Sequence, residues 1–398
     1  MSGMADRTVD ILLIGGGIAS ATAARTLRQE GFTGSVLLVG RELDPPYHRP
    51  PTTKGYLQGK QSKEDAYIDL PDDVEVLTRT SVMSLDPAAK TAKLQSKEEV
   101  AFTHALVATG AMVRRLPLDG ANLDGIYYLR APGNADALRK DAEDAEHVVM
   151  VGGSYIGCET AASLTTLGKS CTVLMQEEDP FDRHFGRTAA QHIRGVLESH
   201  GITVRGGVDV DAFVGEGEKV EGVRLAGGEV VPADLVVVGV GAQPDVMLAR
   251  KSGLPIGDLG GVLCDARLQV EGFPGLYAAG DMCEYASVVH GHALRVEHEE
   301  HAAAQGATAA RGMLGGTDPH TEVPYFFSDL ADWLSLEYVG PARDWDSEEV
   351  EGSVEDGAYA ITYLDAQRKV LGYLSVGGAG DLDAARAAIT SGDPVAAA

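Results

Sequence analysis

The chain has 398 residues, with 33 Lys and Arg against 59 Asp and Glu, a formal net charge of −26, and 44% hydrophobic residues. Such a length exceeds one ordinary core, so two or three domains are expected. The acidic balance excludes nucleic acid and anionic membrane as partners of the surface as a whole. No apolar run reaches bilayer-spanning length, and the start, MSGMADRTVD, lacks the apolar core of a signal peptide, so a cytoplasmic protein is expected.

The first element predicted is a repeat unit. VDILLIGGGIASATAARTLRQEGFTGSVLLVGRE (Val9 to Glu42) runs from an apolar segment through a glycine cluster and a small-residue helix to a glycine and a second apolar segment. Apolar runs without alternation suit strands buried on both faces, and Gly31 stands where a helix C′ residue in the left-handed region is wanted. Gly15 and Gly17 fit G-x-G-x-x-G with Ser20 in the third place. The first permits the turn, the second lets backbone approach a pyrophosphate, and the third allows close helix packing. Glu42, at the second strand end, is placed to accept from a ribose diol.

Next comes PYHRPPTTKGYL (Pro46 to Leu57), with three prolines and the two cations Arg49 and Lys54. Proline lowers the entropy of holding such cations against an anionic ligand. ALVATGA (Ala105 to Ala111) reads as a strand ending in the turn Thr109–Gly110. HVVMVGGSYIGCETAASLTTLGKSCTVLMQEE (His147 to Glu178) then repeats the first plan, with Gly152 and Gly157 in the outer glycine places, Ser154 in the middle one and Gly168 as the helix C′ residue. The Ser154 Cβ crowds a pyrophosphate. Glu177, Glu178 and Asp179 border the strand end with no Arg or Lys placed for a 2′-phosphate, which favours NADH over NADPH.

ADLVVVGVGAQPD (Ala233 to Asp245) and GLYAAGDMCEY (Gly275 to Tyr285) read as closing strands of the two sheets, with Asp281 in the turn after the second. In HGHALRVEHEEHAAAQGATAARGML (His290 to Leu314) the histidine spacing is not H-E-x-x-H and no ligand cluster completes a shell, so no metal is expected. The segment reads instead as a helix starting near Glu297 to Glu300. From His320 on, aromatic and β-branched segments precede a short helix, which reads as a smaller α+β unit. The four cysteines lie in separate segments and read as small buried residues.

Two dinucleotide folds, the second inserted in the first, resemble the FAD-dependent ferredoxin reductases of oxygenase systems, such as putidaredoxin and rubredoxin reductases, with apoptosis-inducing factors as relatives. PYHRPPTTK, ATGA, GGSYIGCE, GLYAAGD and FFSDLADWLSLEYVG carry the likeness in order, with Ser20, Ser154, TTK, Phe327 and Glu299 as departures. The resemblance implies an α/β fold of two Rossmann-like domains of glutathione-reductase type plus a small α+β C-terminal domain. FAD would occupy 1–112 with 243–319, NAD 113–242, and 320–398 would roof the flavin. It further implies that Arg49 lies near the FAD pyrophosphate and Lys54 beside the reactive edge of the isoalloxazine. Glu159 would pair with that lysine, Asp281 would bind the ribityl chain, and the helix start at Glu297 and His298 would face the flavin pyrimidine. Gly15, Gly17, Ser20, Glu42, Thr109 and Gly110 complete the FAD site; Gly152, Ser154, Gly157 and Glu177 form the NAD site.

The implied activity is hydride transfer from NADH to FAD, then single-electron transfer to a ferredoxin-type iron–sulfur protein. No cysteine lies between Gly31 and Leu57, so disulfide reduction is unsupported. The alternatives are an NADH oxidase and an apoptosis-inducing-factor-like binding protein. Arg79, Arg311 and Arg343 are candidates for a local basic patch toward an acidic ferredoxin, Phe327 and Trp333 for lining an electron exit or packing a core. The oligomeric state stays open.

Overall fold

The computed structural model describes residues 5–342 and 344–395. Among these the helices are, in chain order, α1 (Ile18–Gln29), α2 (Pro132–Ala142), α3 (Tyr155–Thr166), α4 (Asp182–Ser199), α5 (Met247–Lys251), α6 (Glu299–Met313) and α7 (Leu382–Ser391). The chain divides into two compact units. One takes the chain up to His48, Tyr67–Met112 and Pro244–Phe326; the other takes Arg49–Ala66, Val113–Gln243 and the chain from Phe327.

The first unit is built around a seven-stranded sheet. Its strand order is Glu75–Leu77, Val36–Val39, Arg7–Ile14, Glu99–Val107, Thr91–Leu94, Val82–Asp86, with Leu276–Ala278 also paired to Glu99–Val107. The four strands nearest the glycine cluster run parallel, as does Leu276–Ala278, while Thr91–Leu94 and Val82–Asp86 fold back antiparallel. Ile11 to Ile14 and Val36 to Val39 are buried, as strands covered on both faces must be. The small residues of α1 have a packing purpose: a Cβ on Gly306 of α6 would lie 2.1 Å from the Ala19 carbonyl oxygen. Glycine there lets the two helices approach backbone to backbone, with the middle of α6 against the start of α1.

The second unit carries the repeat. Thr203–Arg205, Ser170–Leu174, His147–Val151, Leu235–Val238 and Ile126–Tyr127 form a parallel sheet in that order. Gly31 and Gly168 take the expected left-handed conformation after their helices, at φ 83° and 82°. In the same unit Leu334–Val339, Val370–Val376, Ala358–Leu364 and Ser347–Ser353 pair antiparallel. Helix α7 packs Ala385 against Ala360 and Tyr373 of this sheet. The Asp381 carboxylate caps it, accepting from the backbone N–H of Asp383 and Ala384. No helix among the described residues is long and apolar enough to cross a membrane.

Candidate functional site

The first glycine cluster opens α1 with a bare N-terminus. Gly17 is its N-cap at φ −96°, no side chain caps the free N–H groups, and no acid stands in the first turn. Such an end attracts an anion. The three G-x-G-x-x-G positions have separable duties. A Cβ on Gly15, at φ 124°, would strike the Ala108 carbonyl oxygen at 2.0 Å, so this glycine is required by the protein itself. A Cβ on Gly17 would meet nothing within 4 Å, which leaves room for a ligand to approach the backbone. Ser20 is wholly buried, and among the described residues its Oγ has no hydrogen-bond partner. This donor set fits a dinucleotide pyrophosphate.

The other expected FAD contacts of the first unit gather around that cluster. Gly280, just before Asp281, lies between Ala19 of α1 and Ala302 of α6, with ideal Cβ distances of 3.8 and 3.6 Å to their methyls. The glycine turn, the Asp281 turn and the start of α6 therefore converge. Glu42 accepts from the Tyr47 hydroxyl at 2.6 Å. Asp245 holds the Thr109–Gly110 turn: its N–H donates to the Gly110 carbonyl at 2.8 Å, and its own carbonyl accepts from the Thr109 hydroxyl at 2.6 Å. His298 is the N-cap of α6 and stacks on Phe326 with centroids 4.4 Å apart. Glu297 is held by Arg295 at 2.5 Å, and the same guanidinium donates to the Asp281 carbonyl at 3.0 Å. Sequence reading missed Arg295 and Asp245, which act through backbone carbonyls and N–H groups and so leave no motif.

In the second unit the proline loop forms a short 3-10 turn, Pro50–Thr53, and brings Lys54 to Glu159 of α3, with Nζ 3.5 Å from Oε1. Glu159 is 6% exposed. Its carboxylate accepts from the Thr53 and Ser328 hydroxyls, each at 2.6 Å. Burial pushes its pKa up, and Lys54, Ser328 and Thr53 hold it down in turn. Lys54 also lies 3.3 Å from Asp329 and sits 4.2 Å over the Phe327 ring. Thr53 is bolted to α3 from the other side, its carbonyl accepting from Ser163 at 2.6 Å. Arg49 donates to the Arg130 carbonyl at 3.0 Å. Ser328 and Asp329 belong to the FFSDLADW motif, and a polar pair between two aromatics was the signal that marks them.

Neither Phe327 nor Trp333 is buried in a core. Phe327 is 40% exposed beneath the Lys54 ammonium, and Trp333 stacks on His200 with centroids 4.0 Å apart. Of the three candidate patch arginines, Arg79 is exposed, Arg311 is taken by Glu30 at 2.8 Å, and Arg343 lies outside the described residues.

The second glycine cluster repeats the first in geometry. Gly152 has φ 114° and would place a Cβ 2.2 Å from the Gly239 carbonyl oxygen; a Cβ on Gly157 would fall 1.9 Å from the Gly152 oxygen. Ser154 is the N-cap of α3, in extended conformation and with no side-chain cap. One expectation is corrected here. The acids at the strand end are not without cations: Glu177 pairs with Arg183 at 2.9 Å and Asp179 with Arg194 at 3.1 Å. Both arginines come from α4, several residues beyond the strand end, where a scan of the strand end alone does not look.

All four cysteines are buried and free, and burial raises the Cys158 and Cys171 thiols, the latter to about 11. Among the described residues no group of three or more His, Cys, Asp or Glu side chains is arranged to hold a metal ion.

The profile of the pyridine nucleotide-disulphide oxidoreductases matches residues 9–306. The chain belongs to this family. Rhodocoxin reductase of Rhodococcus erythropolis is a family relative 30% identical over 392 residues, covering 97% of this chain and 91% of that protein. The ferredoxin reductase subunit of a Sphingobium 5,5'-dehydrodivanillate O-demethylase is 34% identical over 370 residues, or 89% and 87% of the two chains. The solved covalent complex of putidaredoxin reductase with putidaredoxin matches with a TM-score of 0.91 at 27% identity, covering 98% of this chain and 95% of that one. The α/β reading and the likeness to ferredoxin reductases are thereby borne out.

Proposed function

We propose that this chain is a cytoplasmic FAD-dependent reductase that takes hydride from NADH and passes electrons singly to a ferredoxin-type iron–sulfur protein of an oxygenase or cytochrome P450 system. When bound, the flavin supplies the change from two-electron to one-electron transfer. The observation that carries the reading is the Lys54–Glu159 pair: a proline-held cation beside a buried carboxylate, on the loop and helix where the likeness to ferredoxin reductases is most specific. No cysteine pair accompanies it, so the electrons leave for an external acceptor.

In this reading Gly15, Gly17, Ser20, Glu42, Arg49, Thr109, Gly110, Asp281, Glu297 and His298 bind FAD. Gly152, Ser154, Gly157 and Glu177 bind NADH. Lys54 and Glu159 would act in hydride transfer: the ammonium would stabilise negative charge on the reduced ring, and the carboxylate holds the ammonium.

Added ferredoxin from the same genome is expected to accelerate NADH-driven cytochrome c reduction strongly. At −26 the attraction must be local, so the acceleration falls as salt screens it over about 10 Å at 0.1 M. If oxygen alone sustains full turnover and no ferredoxin accelerates it, the oxidase alternative replaces this one.

Nucleotide choice follows from the Glu177–Arg183 pair. Arg183 neutralises Glu177 and is engaged by it, so in this reading the carboxylate receives a ribose diol rather than Arg183 receiving a 2′-phosphate. NADH is expected to reduce the flavin at least about tenfold more efficiently than NADPH, equivalent to ~1.4 kcal/mol. Stopped-flow reduction with each nucleotide measures it, and equal efficiencies would show that Arg183 swings free to take the phosphate.

A further inference from the structure

Of the histidines between His290 and His320, His301 and His320 have no role in the proposed function, yet both are buried and packed together. The rings of Tyr285, His301 and His320 lie against one another with centroids 4.9 to 5.7 Å apart. His301 is 2% exposed and Gln305, one turn on along α6, is wholly buried.

Hydrogen bonding settles the His301 proton. The Gly280 N–H donates to Gln305 Oε1 at 2.7 Å. That contact leaves the Gln305 NH2 group toward His301 Nε2, at 3.3 Å. An amide NH2 only donates, so Nε2 accepts and the His301 proton falls on Nδ1, which is buried with no hydrogen-bond partner among the described residues. The His301 ring is therefore neutral with the proton on Nδ1. Thr308 Oγ1 lies 3.1 Å from both the Ala304 carbonyl and His320 Nδ1, so the hydroxyl can donate to either.

A charged His301 cannot be accommodated. Its Nε2–H would face the Gln305 NH2, donor against donor. Rotating the Gln305 amide to accept it would turn NH2 toward the Gly280 N–H and strip that buried group of its acceptor. The groups bearing on His301 only worsen this: His320 from the segment after α6, His298 at the α6 N-cap and His290 from the turn after Cys283–Ala286 each add positive charge if protonated, and the Tyr285 ring lies against it. Burial, with those neighbours, holds the His301 pKa well below 6.5, and burial takes His320 and His290 to about 4.

We propose that Gln305 and neutral His301 are a positioning pair for the Gly280–Asp281 turn, so that protonating His301 releases the flavin held there. The inference rests on the assignment of Asp281 to FAD. The direction follows from linkage: a histidine whose folded pKa is depressed contributes stability above its ordinary 6.5 that is lost as pH falls toward the folded value.

The test follows FAD release from the holoenzyme by flavin fluorescence between pH 8 and 4. Gln305→Glu supplies a carboxylate that accepts from both Gly280 N–H and a protonated His301, and His301→Asn keeps an acceptor for the Gln305 NH2 without titrating. Each is expected to lower the pH midpoint of release by about one unit. A purely structural role would raise the midpoint in both. Nitrogen-15 spectra of the histidines in the wild-type protein are an independent check, expected to show His301 protonated on Nδ1. A proton on Nε2, or midpoints unchanged or raised in the variants, overturns the proposal. A protein that takes up no FAD at neutral pH overturns the flavin assignment instead, while the tautomer signal is still read.

Discussion

Lys54→Met is expected to slow reduction of the bound flavin by NADH about 100-fold, the scale on which one preorganised charge or a misplaced reactant acts. The ammonium is fixed from three sides, by Glu159 at 3.5 Å, Asp329 at 3.3 Å and the Phe327 ring at 4.2 Å, so its position is not left to a flexible side chain. The same change carries a pH signature. Glu159 keeps the Thr53 and Ser328 hydroxyls but loses its cation, and its already raised pKa climbs further. A carboxyl whose folded pKa exceeds its unfolded value of 4.5 favours folding most when protonated and opposes it increasingly as pH rises toward the folded value. The stability deficit of Lys54→Met against wild type should therefore be small at pH 5 and grow to as much as about 3 kcal/mol at pH 8, the range for breaking a buried pair. Thermal melts at the two pH values measure it. A deficit independent of pH, or flavin reduction at the wild-type rate, would mean that the pair neither couples nor acts.

The second large effect separates the two glycines of the first cluster. Gly17→Val should lose FAD affinity by at least about 100-fold, ~2.7 kcal/mol, because a branched side chain enters the space a pyrophosphate needs. The apoprotein should melt within about 3 °C of wild type, since the added atoms meet no protein and φ −96° suits valine. Gly15→Ala behaves differently. Its Cβ would lie 2.0 Å from a backbone oxygen at φ 124°, so the apoprotein itself is expected to lose about 2 kcal/mol or more. Flavin titration and apoprotein melting together decide. If both variants destabilise the apoprotein equally, Gly17 is a structural glycine and its ligand role falls.

Much of the site was legible because its parts are local in the chain. A strand, a glycine turn and a helix start occupy consecutive residues, so Gly15, Gly17, Gly152 and Gly157 announce themselves by spacing, and the left-handed positions Gly31 and Gly168 follow from where each helix must stop. Lys54 and Glu159 were named from resemblance, but nothing in their separation by 105 positions indicated that Thr53 and Ser328 would complete the carboxylate's shell. The cations Arg183 and Arg194 were missed for the same reason. They reach the strand end from the next helix, and a charge count over contiguous residues cannot see across that turn.

The amino-acid order by itself determined the parallel α/β repeats, the bare helix starts suited to dinucleotides and the missing redox cysteines of the proline-loop region, since each depends on backbone requirements within a few residues. Only the tertiary structure decided which charges are spent and which protons are fixed. Glu177 is neutralised by Arg183, Glu297 by Arg295, and the protonation of His301 by a glutamine committed to Gly280. Hydrogen bonds and ion pairs act over about 3 Å of space whatever the sequence separation, so donor and acceptor roles in a buried cluster are set by the neighbours that folding brings together.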